Sequence, residues 1–171
     1  MKIAIIPARG GSKRIPRKNV KLFAGLPVIV WSIRAALETG MFDSVIVSTD
    51  DDEIAAIARE HGAEVPFLRP PELAGDHVGT TPVTQHAIRW HQEQGLMVSE
   101  SCTIYSTAPF VRAGDILAAY DLMMTTGASY SFPVTSFPFP IQRAVRLRAD
   151  GRLAMVDPAH RLTRSQDLEP A

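Results

Sequence analysis

Apolar positions along this chain come as short unbroken runs and as helically spaced sets, and the two kinds alternate. Residues 2–7, KIAIIP, are apolar at every interior position, the pattern of a short strand buried on both faces. PVIVWSIRAALETG (27–40) has Pro27 where a first helical turn tolerates it and Gly40 where a helix stops. Val28, Trp31, Ile33, Ala35 and Leu37 give that segment a broad apolar face. SVIVSTD (44–50) predicts a second strand ending in polar residues, and DDEIAAIAREHG (51–62) a helix with acids in its first turn and Gly62 after its last. AEVPFL (63–68) is a weaker strand. A polar loop from Arg69 to Thr81 leads into a helix near 82–94, closed by Gly95. SCTIYST (101–107) reads as a strand, AGDILAAYDLMMTTG (113–127) as a helix, and ASYSFPVT (128–135) as a strand running into a Pro-rich segment.

Strands alternating with helices, joined by connections too long for hairpins, imply right-handed βαβ crossovers. The expected fold is therefore α/β, a three-layer αβα arrangement around a mostly parallel, Rossmann-like sheet. In open sheets of this kind ligands bind beyond the carboxyl ends of the strands. The loops after Pro7, Thr49, Leu68 and Tyr105 are then the ones to watch. From about Phe137 the chain becomes rich in Pro and Arg, with a hairpin expected at Ala149-Asp150-Gly151 and no long helix. No internal repeat or low-complexity tract is visible, and 171 residues fit one domain, 1–171.

Composition narrows the class. Hydrophobic residues make up 46% and charged residues 21% of the chain, which is globular. No apolar run approaches the roughly 20 residues that cross a bilayer, and Pro7, Arg9, Gly10 and Gly11 interrupt the first one too early for a signal peptide. Cys102 is alone, which excludes a disulfide framework and a cysteine-based zinc site. With 18 basic and 18 acidic residues the chain lacks the overall positive charge of a nucleic-acid binder. These properties point to a bacterial-type cytoplasmic enzyme or binding domain, with neither a nucleic acid nor a membrane as partner.

Local charge is another matter. Arg9, Lys13, Arg14, Arg17, Lys18 and Lys21 follow the first strand with no acid among them. Gly10 and Gly11 can adopt backbone angles closed to other residues, and successive amides there can form an anion-binding concavity. Arg9 can fork onto a phosphate while the lysines act as point charges. Neither the Walker spacing nor the Rossmann glycine triplet is present. The choice is between a diphosphate or triphosphate site and a solvated loop, where exposed ion pairs contribute only about 0–1 kcal/mol.

IAIIPARGGSKRIPRKN, FDSVIVSTDDDEIAAIAREHGAEVPFLRPPELA and TAPF resemble the acylneuraminate cytidylyltransferases, which activate nonulosonic (sialic-type) sugars with CTP. The similarity runs in order through nearly the whole chain. FPVTSFPFPIQRA and TRSQDLEPA look like the branch that makes CMP-pseudaminic acid, while enzymes activating Kdo share a looser version of the first loop. The resemblance implies a nucleotide-diphospho-sugar transferase type of fold. It implies that Arg9, Gly10, Gly11, Ser12 and Lys13 surround the CTP phosphates, with Arg9, Lys13 and Lys18 as the catalytic cations. Lys18 and Asn19 match a Lys-Asn pair touching triphosphate and nucleotide, and Arg69 an arginine at the nucleotide site. Thr80 and Thr81 lie where the family has small hydroxyl residues near base or ribose. Tyr105 stands where many sialic-acid members have Gln, and Ser106 where they have Pro, departures that favour a different sugar. The resemblance also implies a homodimer, with residues 137–165 as a dimerisation or sugar-site extension.

Other residues have two readings. Asp50, Asp51 and Asp52 suggest a metal site, but fit a helix N-cap with favourable dipole charge better. Asp76 and His77 are candidates for contacting base or ribose. His86 and His91 lack the partners or spacing of metal ligands, and His61 fits a helix C-terminus. Trp31, Trp90, Met123 and Met124 read as core. Gln142 and Arg143 are candidates for the sugar carboxylate, with a subunit contact as the alternative for Arg143 and for Arg164. The resemblance implies Mg²⁺, held in the family by aspartates downstream of TRSQDLE, in a segment that would begin where this chain ends. No metal ligands are therefore expected within it, and the chain is expected to bind CTP better than it turns CTP over. The alternatives to an active pseudaminic-type enzyme are a truncated, catalytically inactive CTP-binding remnant and an enzyme like the Kdo synthetases.

Overall fold

β1 (Lys2–Pro7) has the interior Ile3, Ala4, Ile5 and Ile6 buried, as an unbroken apolar run requires of a central strand. The computed structural model describes residues 1–169. They fall into two compact units, Met1–Ser129 and the residues from Tyr130 onward. In the first unit, β1 is followed by the small strands β2 (Leu22–Phe23) and β3 (Leu26–Pro27), then α1 (Val28–Glu38), β4 (Ser44–Ser48) and α2 (Asp52–Glu60). α3 (Thr80–Glu93), β5 (Glu100–Thr103) and α4 (Ala113–Thr126) complete it.

β1 pairs in parallel with β4 on one side and β5 on the other. The period-2 alternation of β1 feeds two apolar layers. Ala4 and Ile6 pack with Ile29, Ile33 and Ile54 of α1 and α2 and with Ile116 of α4. Ile3 and Ile5 face the other way, toward Ala87 and Ile88 of α3. Helices thus cover both faces of a parallel sheet, which is the expected three-layer αβα fold.

Several local features depart from the expected pattern. Residues 63–68 form only two isolated bridges to the β4 side, Ile46 with Glu64 and Thr49 with Leu68. Pro66, between them, has no N–H to give to a ladder. The β2–β3 hairpin was not foreseen; its turn places Ala24 and Gly25 at φ 48° and 86°, the double positive φ of a tight hairpin. α3 begins at Thr80 rather than near residue 82, so both threonines lie in its first turn. Met124 is 55% exposed, Met123 is half-buried and Ile116 is the buried residue of α4, so the methionine pair is not core.

Residues 128–135, which run from the end of the first unit into the second, form no strand. Beyond them, β6 (Val145–Leu147) and β7 (Leu153–Met155) make the expected antiparallel hairpin, with Gly151 at φ 78° in its turn. Gln142 and Arg143 sit on a short 3₁₀ turn, Ile141–Arg143.

Candidate active site: a cationic cleft

The carboxyl ends of β1 and β5 open into a cavity of about 680 Å³, a volume in the usual range for a small-molecule site. The loop after β1 lines it with Arg9, Ser12, Lys13, Arg14 and Lys18. The segment after residue 68 adds Arg69, Asp76 and Thr80, and the turn after β5 adds Tyr105, Ser106 and Thr107. Three of the four loops singled out from the strand pattern therefore meet here.

The fourth, after Thr49, acts from behind. Gly10 N–H donates to Asp50 Oδ1 at 3.0 Å, and Arg17 pairs with Asp51 and Glu53. Asp51 is also the N-cap of α2, its Oδ1 accepting from the Ile54 amide at 3.0 Å. The N-cap and helix-dipole reading of the aspartate run thus fits Asp51, the N-cap, and Asp52, in the first turn of α2, whereas Asp50 instead holds the Gly10 amide. Because these acids occupy Arg17 and one loop amide, Arg9, Lys13, Arg14 and Lys18 are left facing the cavity.

Asn19 is buried and braces the loop rather than presenting a free amide. Its Nδ2 donates to the Arg9 carbonyl at 2.8 Å, and its Oδ1 accepts from Ser106 Oγ at 2.9 Å. Asn19 still touches the cavity wall. Ser106 is thereby a working part of the site that sequence reasoning noted only as a departure from a pattern. A polar residue just past a strand end was the available signal. Ser32 Oγ similarly holds the Tyr105 carbonyl at 2.8 Å, which fixes the turn carrying the Tyr105 ring.

Arg69 is 6% exposed, and its Nε donates to Ser48 Oγ at 3.1 Å while Nη2 reaches the Ser48 carbonyl. Burial pushes its guanidinium below the ordinary arginine value; Asp50 opposes that shift and Arg9 adds to it. Among the described residues no acid pairs with Arg69, Arg14 or Lys18. Asp76 is the acid in the cavity wall. Its Oδ1 accepts from Arg9 Nη1 at 2.6 Å and its Oδ2 pairs with Lys13 Nζ. Those two contacts, Lys13 first, hold its carboxyl below the ordinary aspartate value. Gly79 and Thr80 begin α3 at the cavity with no side chain capping the helix, so its first amides add positive potential there.

Gly10, Gly11 and Thr81 lie outside the cavity lining. Neither glycine uses a positive φ. Gly10 is required for a different reason: a Cβ there would sit 2.5 Å from Asp51 Oδ2, whereas one at Gly11 would meet nothing within 4 Å. Thr81 points from the exposed side of the first turn of α3. Gln142 and Arg143 belong to the second unit, where Arg143 Nη1 donates to the Thr163 carbonyl at 2.6 Å and Gln142 Nε2 to the Glu169 carbonyl at 3.4 Å. His91 is buried with Nδ1 2.8 Å from the Ala87 carbonyl, a helical contact.

Among the described residues, no three His, Cys, Asp or Glu side chains converge to hold a metal ion. Asp50, Asp51 and Asp76 are each engaged by an amide or a cation.

A parallel αβα sheet with several cations and a helix N-terminus facing one cleft at its carboxyl edge defines an α/β domain that binds a phosphorylated small molecule. The comparisons with known proteins give the particular family. Residues 3–138 match the family model described as Cytidylyltransferase, and the chain belongs to that family. It is 43% identical over 169 residues to the pseudaminic acid cytidylyltransferase of Campylobacter jejuni, covering 99% of this chain and 73% of that protein. It is 36% identical over 127 residues to the CMP-N,N'-diacetyllegionaminic acid synthase of Legionella pneumophila, covering 74% of this chain and 55% of that protein. Among solved structures, a CMP:2-keto-3-deoxy-manno-octonic acid synthetase complexed with CTP superposes with a TM-score of 0.61 at 23% identity. That alignment covers 74% of this chain and spans about half of the other (48%), and it supports the fold.

Proposed function

We propose that the chain activates a nonulosonic acid with CTP, pseudaminic acid being the favoured sugar, to give the CMP-sugar and pyrophosphate. The observation that carries this reading is the convergence of Arg9, Lys13, Lys18 and Arg69 on one cavity. The extent of similarity to a pseudaminic acid cytidylyltransferase supports the choice of sugar. In the reaction the anomeric hydroxyl of the sugar attacks the α-phosphorus of CTP. A new P–O bond forms, the α–β phosphoanhydride bond breaks, pyrophosphate leaves with the bond's electrons, and the hydroxyl proton passes to solvent. Both reactants are anionic, so the site must supply position and positive charge. Arg9, Lys13 and Lys18 hold the polyphosphate and stabilise the charge growing on the leaving group. Arg69, fixed by Ser48, and Thr80 contact the nucleoside side, and Tyr105 borders the space for the sugar.

No helix among the described residues is long and apolar enough to cross a membrane, and a reaction that consumes CTP suits the cytoplasm. We place a homodimer contact in residues 137–165, a reading supported by apolar side chains such as Phe139, Leu147 and Leu162, which are 77%, 72% and 92% exposed. A second reading, a domain that binds CTP without turning it over, is favoured by the engagement of Asp76, the acid of the cavity wall, with Arg9 and Lys13. Titration calorimetry with CTP, UTP, GTP and ATP, followed by mass spectrometry of products from CTP and pseudaminic acid, tests the proposal. CTP preference with CMP-sugar formed is the expected result. CTP preference without product selects the second reading, and equal binding of ATP would overturn both.

A further inference from the structure

The cavity lined by four loop cations and Arg69 contains its own anion. Asp76 spans Arg9 and Lys13 with one oxygen on each, the way a phosphate would, and it reaches them from residues 74–79, a loop separate in the chain from the basic one. Asp76 is only partly covered, with its side chain 30% exposed. Gly75 and Gly79 flank the segment, and a Cβ at Gly79 would meet nothing within 4 Å.

We propose that Asp76 is a displaceable stand-in for phosphate: it pre-positions Arg9 and Lys13 in the empty site, yields them to the polyphosphate, and competes for them again once the leaving group is ready to depart. This rests on the assignment of the cleft to CTP and adds how the site regulates its own grip. The physical basis is a contest between anions. A single carboxylate carries one negative charge, and a triphosphate several, so the triphosphate wins the two cations when it arrives. Holding the cations together in the meantime lowers their mutual repulsion and fixes their side chains, which reduces the ordering cost of binding. After the α–β bond breaks, pyrophosphate is the smaller and less tethered occupant, and a nearby carboxylate weakens its hold. Asp76 thus trades some affinity for release.

The test is titration calorimetry of sodium tripolyphosphate and of pyrophosphate into the wild type and Asp76→Asn at constant ionic strength. Asn keeps the shape and removes the charge. The variant is expected to bind both anions about 3- to 30-fold more tightly, the range set by losing two partly exposed ion pairs as competitors. Asp76→Glu is expected to stay near the wild type, and Asp76→Ser gives an independent reading should the amide disturb the loop. Unchanged or weaker binding of tripolyphosphate by both neutral variants would overturn the proposal, as would the lack of any binding to either protein. Weaker CTP binding with unchanged tripolyphosphate affinity would also overturn it, and would make Asp76 a contact to ribose or base. Should CTP show no advantage over ATP while the neutral variants still tighten tripolyphosphate binding, the competition stands and the CTP assignment falls.

Discussion

Arg69 shows how one side chain can be both framework and ligand. Its guanidinium is fixed by two bonds to Ser48 at the end of β4, yet it borders the cavity with no acid beside it among the described residues. A lysine keeps the charge but has no planar fork to satisfy both Ser48 oxygens. Arg69→Lys is therefore expected to weaken CTP binding roughly 10- to 100-fold, the span for losing a hydrogen bond to a charged group, in a calorimetric titration. Gly10 and Gly11 offer a sharper contrast. Gly10→Ala places a methyl group 2.5 Å from the Asp51 carboxylate and is expected to cost about 1–3 kcal/mol in denaturant unfolding. Gly11→Ala meets nothing within 4 Å and is expected to leave the midpoint nearly unchanged. The sequence showed two adjacent glycines with one apparent purpose; only the approach of Asp51, forty-one residues beyond Gly10, separates them.

Elements were legible where one local pattern decided them. The unbroken apolar run of β1, the capped 3.6-residue periodicity of α1 and α2, and the Asp150-Gly151 turn each left one fold to choose. What failed either hid a break within the run or carried no periodic signal. Residues 63–68 have strand-like composition, but Pro66 breaks their pairing to β4. The β2–β3 hairpin is four residues around an Ala-Gly turn, too short for any periodic signal. Met124 matched a core pattern on a helix whose outer face is exposed. The basic loop was legible as an anion site from charge alone, while its bracing by Ser106 and Asp50 was not, since those contacts join separate loops. α3 carries a pH response of its own. His86 packs edge-on against Phe67 at 4.6 Å between centroids, and its Nδ1 is buried without a partner. Burial, then Arg89 and Arg69, lower its affinity for a proton below the ordinary 6.5. The unfolded chain thus binds this proton more readily, so stability is full above about pH 6.5 and declines as pH falls toward the folded value. His86→Gln is expected to flatten that part of a Tm-against-pH curve.

At the scale of the whole molecule, the chain combines zero net charge with strong local asymmetry. Acids at the start of α2 neutralise Arg17 and seat the loop from outside, and the remaining cations line the cleft, where a helix N-terminus adds to their pull on an anion. A balanced surface avoids non-specific polyanion binding, while the cleft still selects a small, densely charged ligand. The measurement that bears most directly on this account is the dissociation constant of CTP, beside that of cytidine, for the wild type and for Arg9→Ala combined with Lys18→Ala. The account predicts that the double variant loses about 100-fold or more in CTP affinity while its weak cytidine binding is unchanged. A double variant that holds CTP as tightly as the wild type would contradict it.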